Sequence, residues 1–512
     1  MKKSIYKNIG AAVLAVFTVT AIPTSCTGLL DEPLENAIIA DETDYSQSSN
    51  MIQMLYGAYG ELYRSQWETH TLIGVRGDDV TAAGDQVPLT ETDLFRYDRN
   101  FWMYNSVWLN LYSDLIYWHG AMEEIRLYQE AGANAANAEQ YIAEIKVMQG
   151  LELIQLAKLW GSILIPTSSQ PAELYNVEVS TFEEVMQYVS ALMDEALPAL
   201  PNVHPSERSD VRGGITRGAA LAVKAMANLE LNNWAAVTEA TGEIISSGNY
   251  ALEADYYQLF KVPGKLNREN VLEFQYSDFG TSTGTLTQYP FETYGPASWT
   301  PAVAGASNGW GFYAPTAKYV RFMLDRGEQT RLVTTVLFTP DGIAEVQSEP
   351  GYENLPDWVS NITPDGDQFN NHPRYNFLSG KHYLPSTQLT EGRFGYGTNN
   401  NFTAIRYAEI LLMHAEAVVN GGAAGPLSAD EAVNTVRARA GLEPLAGVAL
   451  EDVLNEKYAE FGMELGIRFY DLMRYGIENE LSFGGRNFNI ANHRFLPYPL
   501  EQTTILPQIG AN

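Results

Sequence analysis

Apolar positions recur at spacings of three and four through most of residues 50–260, the period of an amphipathic helix. In "SNMIQMLYGAYGELY" they are Ile52, Leu55, Tyr56, Tyr59 and Tyr63. In "NSVWLNLYSDLIYWHGAMEEIRLY" they are Val107, Leu111, Leu115, Trp118 and Met122. "EQYIAEIKVMQGLELIQLAKLWG" is apolar nearly all round, which predicts a helix buried on most faces. "FEEVMQYVSALMDEALPALP" is amphipathic and is stopped by Pro198 and Pro201. "GGITRGAALAVKAMANLELNNWAAVTEATGEIISSGNY" predicts two antiparallel helices joined at "NNW". Short turns of this kind favour helical hairpins of tetratricopeptide type, although the chain holds no strict repeat.

The period is lost between 275 and 400. "YSDFGTSTGTLTQYPFETYGPASWTPAVAGASNGWGFYAP" is rich in Gly, Thr, Ser and aromatic residues, and "EPGYENLPDWVSNITPDGDQFNNHPRYNFLSGKHYLP" is similar. Long irregular segments in compact proteins tend to be functional. Helices return after 400. "AIRYAEILLMHAEAVVNGG" places Ile405, Ala408, Leu412, Ala415 and Val419 on one face and stops at Gly421. "LSADEAVNTVRARAGL" opens with a capping box, Ser428 and Glu431, and closes at Gly441. "ALEDVLNEKYAEFGMELGIRFYDLMRYG" is a third helical stretch with internal glycines, and the proline-bearing tail "RFLPYPLEQTTILPQIGAN" predicts an extended path.

The first residues have a different grammar. "MKKSIYKNIG" is basic and "AAVLAVFTVTAI" is apolar, too short to span a bilayer as a helix and of signal-peptide length. Cys26, the only cysteine of 512 residues, follows at once. It reads as a free thiol near a mature terminus, as a neighbour of a short anchor, or as the lipid-modified first residue of a bacterial lipoprotein. The small residues Thr24 and Ser25 suit the last reading, although Pro23 stands where leucine is usual. A lipidated cysteine also leaves no spare thiol to mispair outside the cytoplasm. At about 0.8 kcal/mol per buried methylene, two or three acyl chains hold a protein essentially permanently. A single cysteine excludes an intramolecular disulfide and a paired-cysteine zinc site. The chain is acidic, with 62 Asp plus Glu against 32 Lys plus Arg. Loss of the three lysines in residues 1–25 takes the net charge from −30 to −33. Such a surface repels phosphate and anionic headgroups, so no nucleic-acid partner and no polybasic membrane contact are expected.

Several segments match one family. "RYAEILLMHAEAVVN" (Arg406, Ala408, Glu409, then Ala415-Glu416-Ala417), "AVNTVRARAGL" (Arg437, Arg439, Gly441) and "VLNEKYAEFGMELGIRFYDLMRYG" (Glu456, Glu460, Arg468, Phe469, Asp471, Leu472, Arg474) resemble motifs of the SusD/RagB family of outer-membrane nutrient-binding lipoproteins. "LAKLWGSILIP", the helical pair after 213 and "RFLPYPLEQ" are similar to further family elements, in family order. Gln149-Gly150 departs from a common Arg-Ala pair, and His119 from a common Asn. The resemblance implies a mainly α fold, a tetratricopeptide-like scaffold of helical hairpins (an α-α superhelix) whose long irregular loops form the ligand-binding face. It implies a signal peptide at 1–25, an acidic tether at 26–45 and a body at 46–512. Within the body, 46–270 would be N-terminal scaffold, 271–400 the loop-rich binding region, and 401–512 C-terminal helices and tail. It also implies a lipid anchor at Cys26, an outward-facing place on the outer membrane, and a SusC-like TonB-dependent transporter as partner. The ligand would be an oligosaccharide or polysaccharide, with peptide or host-glycoprotein capture as the alternative, and no catalytic activity.

The residues themselves bear on the site. The motif charges Glu409, Glu416, Arg437, Arg439, Arg468, Asp471 and Arg474 lie at helical spacings and read as ion pairs between helices. Two Gly-x-Ser-x-Gly strings, 280–284 and 305–309, lie in glycine-rich loops and lack the strand–turn–helix frame of a nucleophile elbow. A hydrolase would need two carboxylates poised across a cleft, and no such signature occurs. The seven histidines have no metal-ligand spacing. "TPDGDQFNN" is rich in oxygen ligands without the spacing of a calcium loop, so no metal or cofactor is predicted. The aromatic residues of irregular segments carry the best functional signal, since sugar C–H faces stack on flat rings while nearby polar groups meet the hydroxyls. Trp67, Trp102, Tyr294, Trp299, Trp310 and Tyr313 are the predicted stacking residues, and Arg76, Asp78 and Asp79 of "GVRGDDV" the predicted polar contacts. An open site of this kind binds at roughly μM to mM, about −8 to −4 kcal/mol.

Overall fold

The computed structural model describes residues 43–64, 67–284 and 290–510. The chain divides into two compact units, Met1–Gln47 and Ser48–Asn512. In the first, residues 43–47 are described, and Asp44 accepts bonds from the backbone N–H and the hydroxyl of Ser46 at 3.1 and 2.6 Å. Cys26, residues 1–25 and most of the expected tether lie outside the described residues.

The second unit begins with α1 (Met51–Tyr63), α2 (Trp67–Gly74), β1 (Val80–Ala82), α3 (Trp102–Glu130), α4 (Ala135–Trp160), α5 (Phe182–Ala196), α6 (Arg217–Glu230) and α7 (Trp234–Ser247). It continues through β2 (Asn270–Phe274), β3 (Tyr313–Pro315), α8 (Ala317–Asp325), β4 (Phe402–Arg406), α9 (Tyr407–Val419), α10 (Ala429–Arg439), α11 (Leu450–Phe461) and α12 (Ile467–Tyr475). Helices α3 to α7 each pack on the next, α7 packs on α9, and α9 carries α10 and α11. The architecture is mainly α, a run of helical hairpins.

The periodic segments form as their patterns dictate. From Tyr141 to Trp160 only Lys146 and Lys158 escape burial, so α4 is the buried helix its all-round apolar surface predicts. Gly150 lies where a Cβ would stand 2.8 Å from Met193 and 3.3 Å from Val189 and Val223. Its place in the Gln149-Gly150 departure lets α5 and α6 close on α4. The Ser428–Glu431 capping box is present, with reciprocal bonds of 3.2 and 2.8 Å that contribute about 1 kcal/mol.

Two expectations need correction. The 275–400 region is not wholly irregular, because α8 and the helices Gln329–Thr335 and Pro340–Gln347 form inside it. The tail is not extended throughout, since Leu500–Ile505 is helical. Pro499 stands just before that helix, where its fixed φ favours starting one and its missing N–H costs nothing. Strands among the described residues pair only in two-stranded ladders. β1 pairs antiparallel with β3, Val80 opposite Pro315 and Ala82 opposite Tyr313, and β2 pairs with β4.

The motif charges form buried ion pairs. Glu460 in α11 meets Arg331 at 3.2 Å, and also Arg406 and Arg439. Arg406 reaches Glu269 and Glu464, each at 2.8 Å. Glu416 meets Lys457 at 2.7 Å and Arg474 at 3.0 Å, and Asp471 meets Lys457 at 2.6 Å. Burial alone would raise the Glu460 carboxyl, but the surrounding guanidinium groups hold it well below the usual range. Glu409 is different: it forms no ion pair among the described residues, and burial pushes it up to about 7.

Candidate functional site

Two segments far apart in sequence converge on Trp67, the first residue of α2. Trp102, the first residue of α3, lies 6.4 Å from it between ring centroids at 57°. Trp310 meets it edge-on at 6.0 Å and 85°, and Phe312 packs at 6.3 Å from Trp67 and 5.5 Å from Trp310. Each such pair contributes about 0.5–1.5 kcal/mol beyond the area it buries. Trp67 and Phe312 are buried, Trp310 is half-buried, and Trp102 is 47 % exposed. The cluster is therefore a ledge: a buried ring braces two others that open to solvent.

Main-chain bonds set the ledge. The N–H of Trp310 donates to Glu292 at 2.7 Å, that of Gly311 to Gly295 at 2.9 Å and that of Phe312 to Thr293 at 3.0 Å. This stitches 310–312 to the short helix Pro290–Tyr294 and the turn after it. A Cβ at Gly309 would lie 2.6 Å from the Gly295 backbone, and Gly311 has φ +65°, so both positions require glycine. The helix is tied to α2 in turn, because the Tyr294 hydroxyl lies 2.9 Å from Thr71 Oγ1 and donates to the Trp67 carbonyl at 3.3 Å. On α3, Asn105 is one turn from Trp102 and shares its face. Asn105 donates to Glu501 and accepts from Gln502 Nε2 at 2.8 Å, so the tail helix braces the start of α3. Burial raises the carboxyls of Glu68 and Glu292, which flank the ledge in sequence.

The other predicted site residues lie elsewhere. Arg76 is fully buried, donating to the Tyr470 hydroxyl at 2.7 Å and lying 4.4 Å over the Phe469 ring. Asp78 is fully buried between Arg468 at 3.0 Å and Lys318 at 2.7 Å. Asp79 accepts the Met463 N–H at 2.9 Å, and burial pushes it up to about 7. These three hold α12 and the 461–468 turn against "GVRGDDV", so the expectation that they face a ligand is corrected. Trp299 is also an inward anchor, stacked on Phe369 at 6.1 Å and 17° and bonded through Nε1 to Asn308. Tyr294 and Tyr313 pack together at 4.6 Å in a small core with Val75, Val80 and Met463. They support the ledge from behind. Asp367 of "TPDGDQFNN" accepts from Ala302 N at 2.7 Å, Ser386 N at 2.8 Å and Ser386 Oγ at 2.6 Å, so its oxygens are spent on the protein.

Phe312 was not among the predicted residues. The signal that finds it is the alternation in "WGFY": in an extended segment residues two apart share a face, so Phe312 follows Trp310.

The SusD family model matches residues 268–495. A SusD-like protein of Bacteroides ovatus is 21% identical over 495 residues, covering 90% of this chain and 82% of that protein. SusD-like protein P25 of Formosa agariphila is 24% identical over 551 residues, covering 94% of each. Among solved structures, a laminarin-binding SusD-like protein superposes with a TM-score of 0.72 at 21% identity, covering 89% of this chain and 96% of its own. Surface glycan-binding protein A of Bacteroides thetaiotaomicron, in complex with laminarihexaose, superposes with a TM-score of 0.72 at 20% identity over 90% of this chain and 98% of that one.

Proposed function

Starting from a chain that belongs to the SusD family, we propose a surface glycan-binding protein that holds oligosaccharide or polysaccharide on the tryptophan ledge and passes it to a TonB-dependent outer-membrane transporter. The observation that carries this reading is the exposure of Trp102, 47 %, beside half-buried Trp310 on rigid supports. Large aromatic rings on a folded surface lose free energy by staying wet, and a pyranose C–H face covers them without a deep pocket. Two structural neighbours whose names include laminarin or laminarihexaose support glycan as the ligand class.

Titration calorimetry against neutral oligosaccharides and, separately, a peptide mixture tests the ligand class. Sugar binding in the μM to mM range, weakened in Trp102→Ala and Trp310→Ala, is the expected outcome. Heat from the peptides alone would move the reading to peptide capture.

Anchoring at Cys26 and an outward-facing place on the outer membrane belong to the same proposal. Labelled fatty acid should enter the parent chain and not Cys26→Ala, and the variant should leave the outer-membrane fraction. Ligand hand-over predicts co-purification with a transporter barrel from detergent extracts. The proposal also holds that the protein is not an enzyme, so release of reducing sugar by the purified chain would overturn that part.

A further inference from the structure

A cleft of about 610 Å3, within the size range of small-molecule sites, is lined in part by β3, the strand that follows the ledge residues 310–312. Two connections join them. Ala314 and Pro315 of β3 line the cleft, and four residues of chain span at most ~13–14 Å, which bounds the distance from Trp310 to that lining. Arg374, which also lines the cleft, makes a long contact of 3.5 Å from its guanidinium to the Trp310 carbonyl.

The charges around this cleft are mostly cancelled. Arg321 pairs with Glu349, Arg486 with Asp93, and Lys318 with Asp78 and Glu480. Two lining groups stand outside that pattern. Arg374 is exposed and forms no ion pair among the described residues. Glu345 forms none either, and accepts only from the neutral Asn376 amide at 2.7 Å. The cleft therefore presents one guanidinium with donors to spare and one carboxylate with lone pairs to spare. A charged sugar gains at one of them what it loses at the other. A neutral sugar gains at both, because each hydroxyl donates and accepts.

Resting on the glycan reading of the ledge, we infer that the cleft is a second subsite that reads the hydroxyls of the next units of the same neutral glycan through Arg374 and Glu345. The preferred ligand is then a chain several units long that stacks on Trp102 and Trp310 and continues into the cleft. Short sugars reach the ledge alone.

Calorimetry with the tri- and hexasaccharides of β-1,3-, β-1,4- and α-1,4-linked glucose tests this. The hexasaccharide of the linkage that binds should bind about tenfold more tightly than its trisaccharide, as one or two hydrogen bonds to charged groups provide. Arg374→Ala and Glu345→Gln should each close much of that gap and leave the trisaccharide affinity unchanged. Trp102→Ala should weaken both lengths. Equal affinity for both lengths, or a gap that survives Arg374→Ala, overturns the second subsite while leaving the ledge in place. Absence of binding by every sugar overturns the glycan reading, and this inference with it.

Discussion

Around Glu460, Arg331, Arg406 and Arg439 close in from three other segments; around Trp67, Trp102, Trp310 and Phe312 close in from two. Both clusters are assembled from distant parts of the chain, and both contain the residue types that mark functional sites. They differ in what is left over. At Glu460 the charged groups end on one another inside the protein. At Trp67 the supporting ring is covered and Trp102 remains 47 % exposed. The lesson is that the chemical type of a cluster says little about function until its spare capacity is known. Arg76, Asp78 and Asp79 look like ligand contacts, yet all three are buried and turned inward.

Substitutions in the two regions should have different consequences. The largest effect is expected for Glu460→Ala, which strands buried guanidinium groups and should cost about 3–5 kcal/mol in denaturant unfolding. Trp299→Ala should cost a similar amount, about 3–5 kcal/mol, because its ring is a packed anchor. Trp102→Ala should reverse the balance. It should cost about 2 kcal/mol of glycan binding, roughly thirtyfold, and only about 1 kcal/mol of stability, the share of its contact with Trp67. If Trp299→Ala unfolds nothing and abolishes binding, the inward assignment of that residue is wrong.

The smallest effect is one of pH, and two kinds of buried carboxyl give it opposite signs. Asp79 sits at about 7 through burial, above its ordinary 3.8, so the folded state keeps a proton that the unfolded chain releases. That contribution falls as pH rises from about 4 to about 7. Glu460 and Glu464 are depressed below 4.5 by their arginine and lysine neighbours, which outweigh burial, so their contribution is lost as pH falls below that value. Thermal melts should peak between these limits. Asp79→Asn should gain on the parent, by an amount of the order of 1 kcal/mol at pH 8, with the advantage gone by pH 4. A gain that is the same at both pH values would show that Asp79 carries no such proton.

Much of the scaffold was legible in the sequence because helix burial repeats every three to four residues. α4, the α6–α7 hairpin and the Ser428–Glu431 box all follow from local pattern. The ledge was legible in part. Trp67, Trp102 and Trp310 stood out as aromatics, but the pattern could not say which would be covered. The partners that bury Asp78, Lys318 and Arg468, lie 240 and 390 residues away, and no local signal records such distances. Arg374 and Glu345 were invisible for the converse reason. Their interest lies in lacking a charged partner, which shows only once every other charge has found one.

The stitching of 310–312 to 292–295 has a consequence for how such a protein changes over generations. Those bonds run from backbone to backbone, so they are indifferent to the side chain at position 310. The glycines that permit them are fixed, but the ring they display is free to vary. A lineage can thus exchange one displayed side chain for another and try new ligands without re-solving the fold, while the arginine–glutamate clusters tolerate no such experiment.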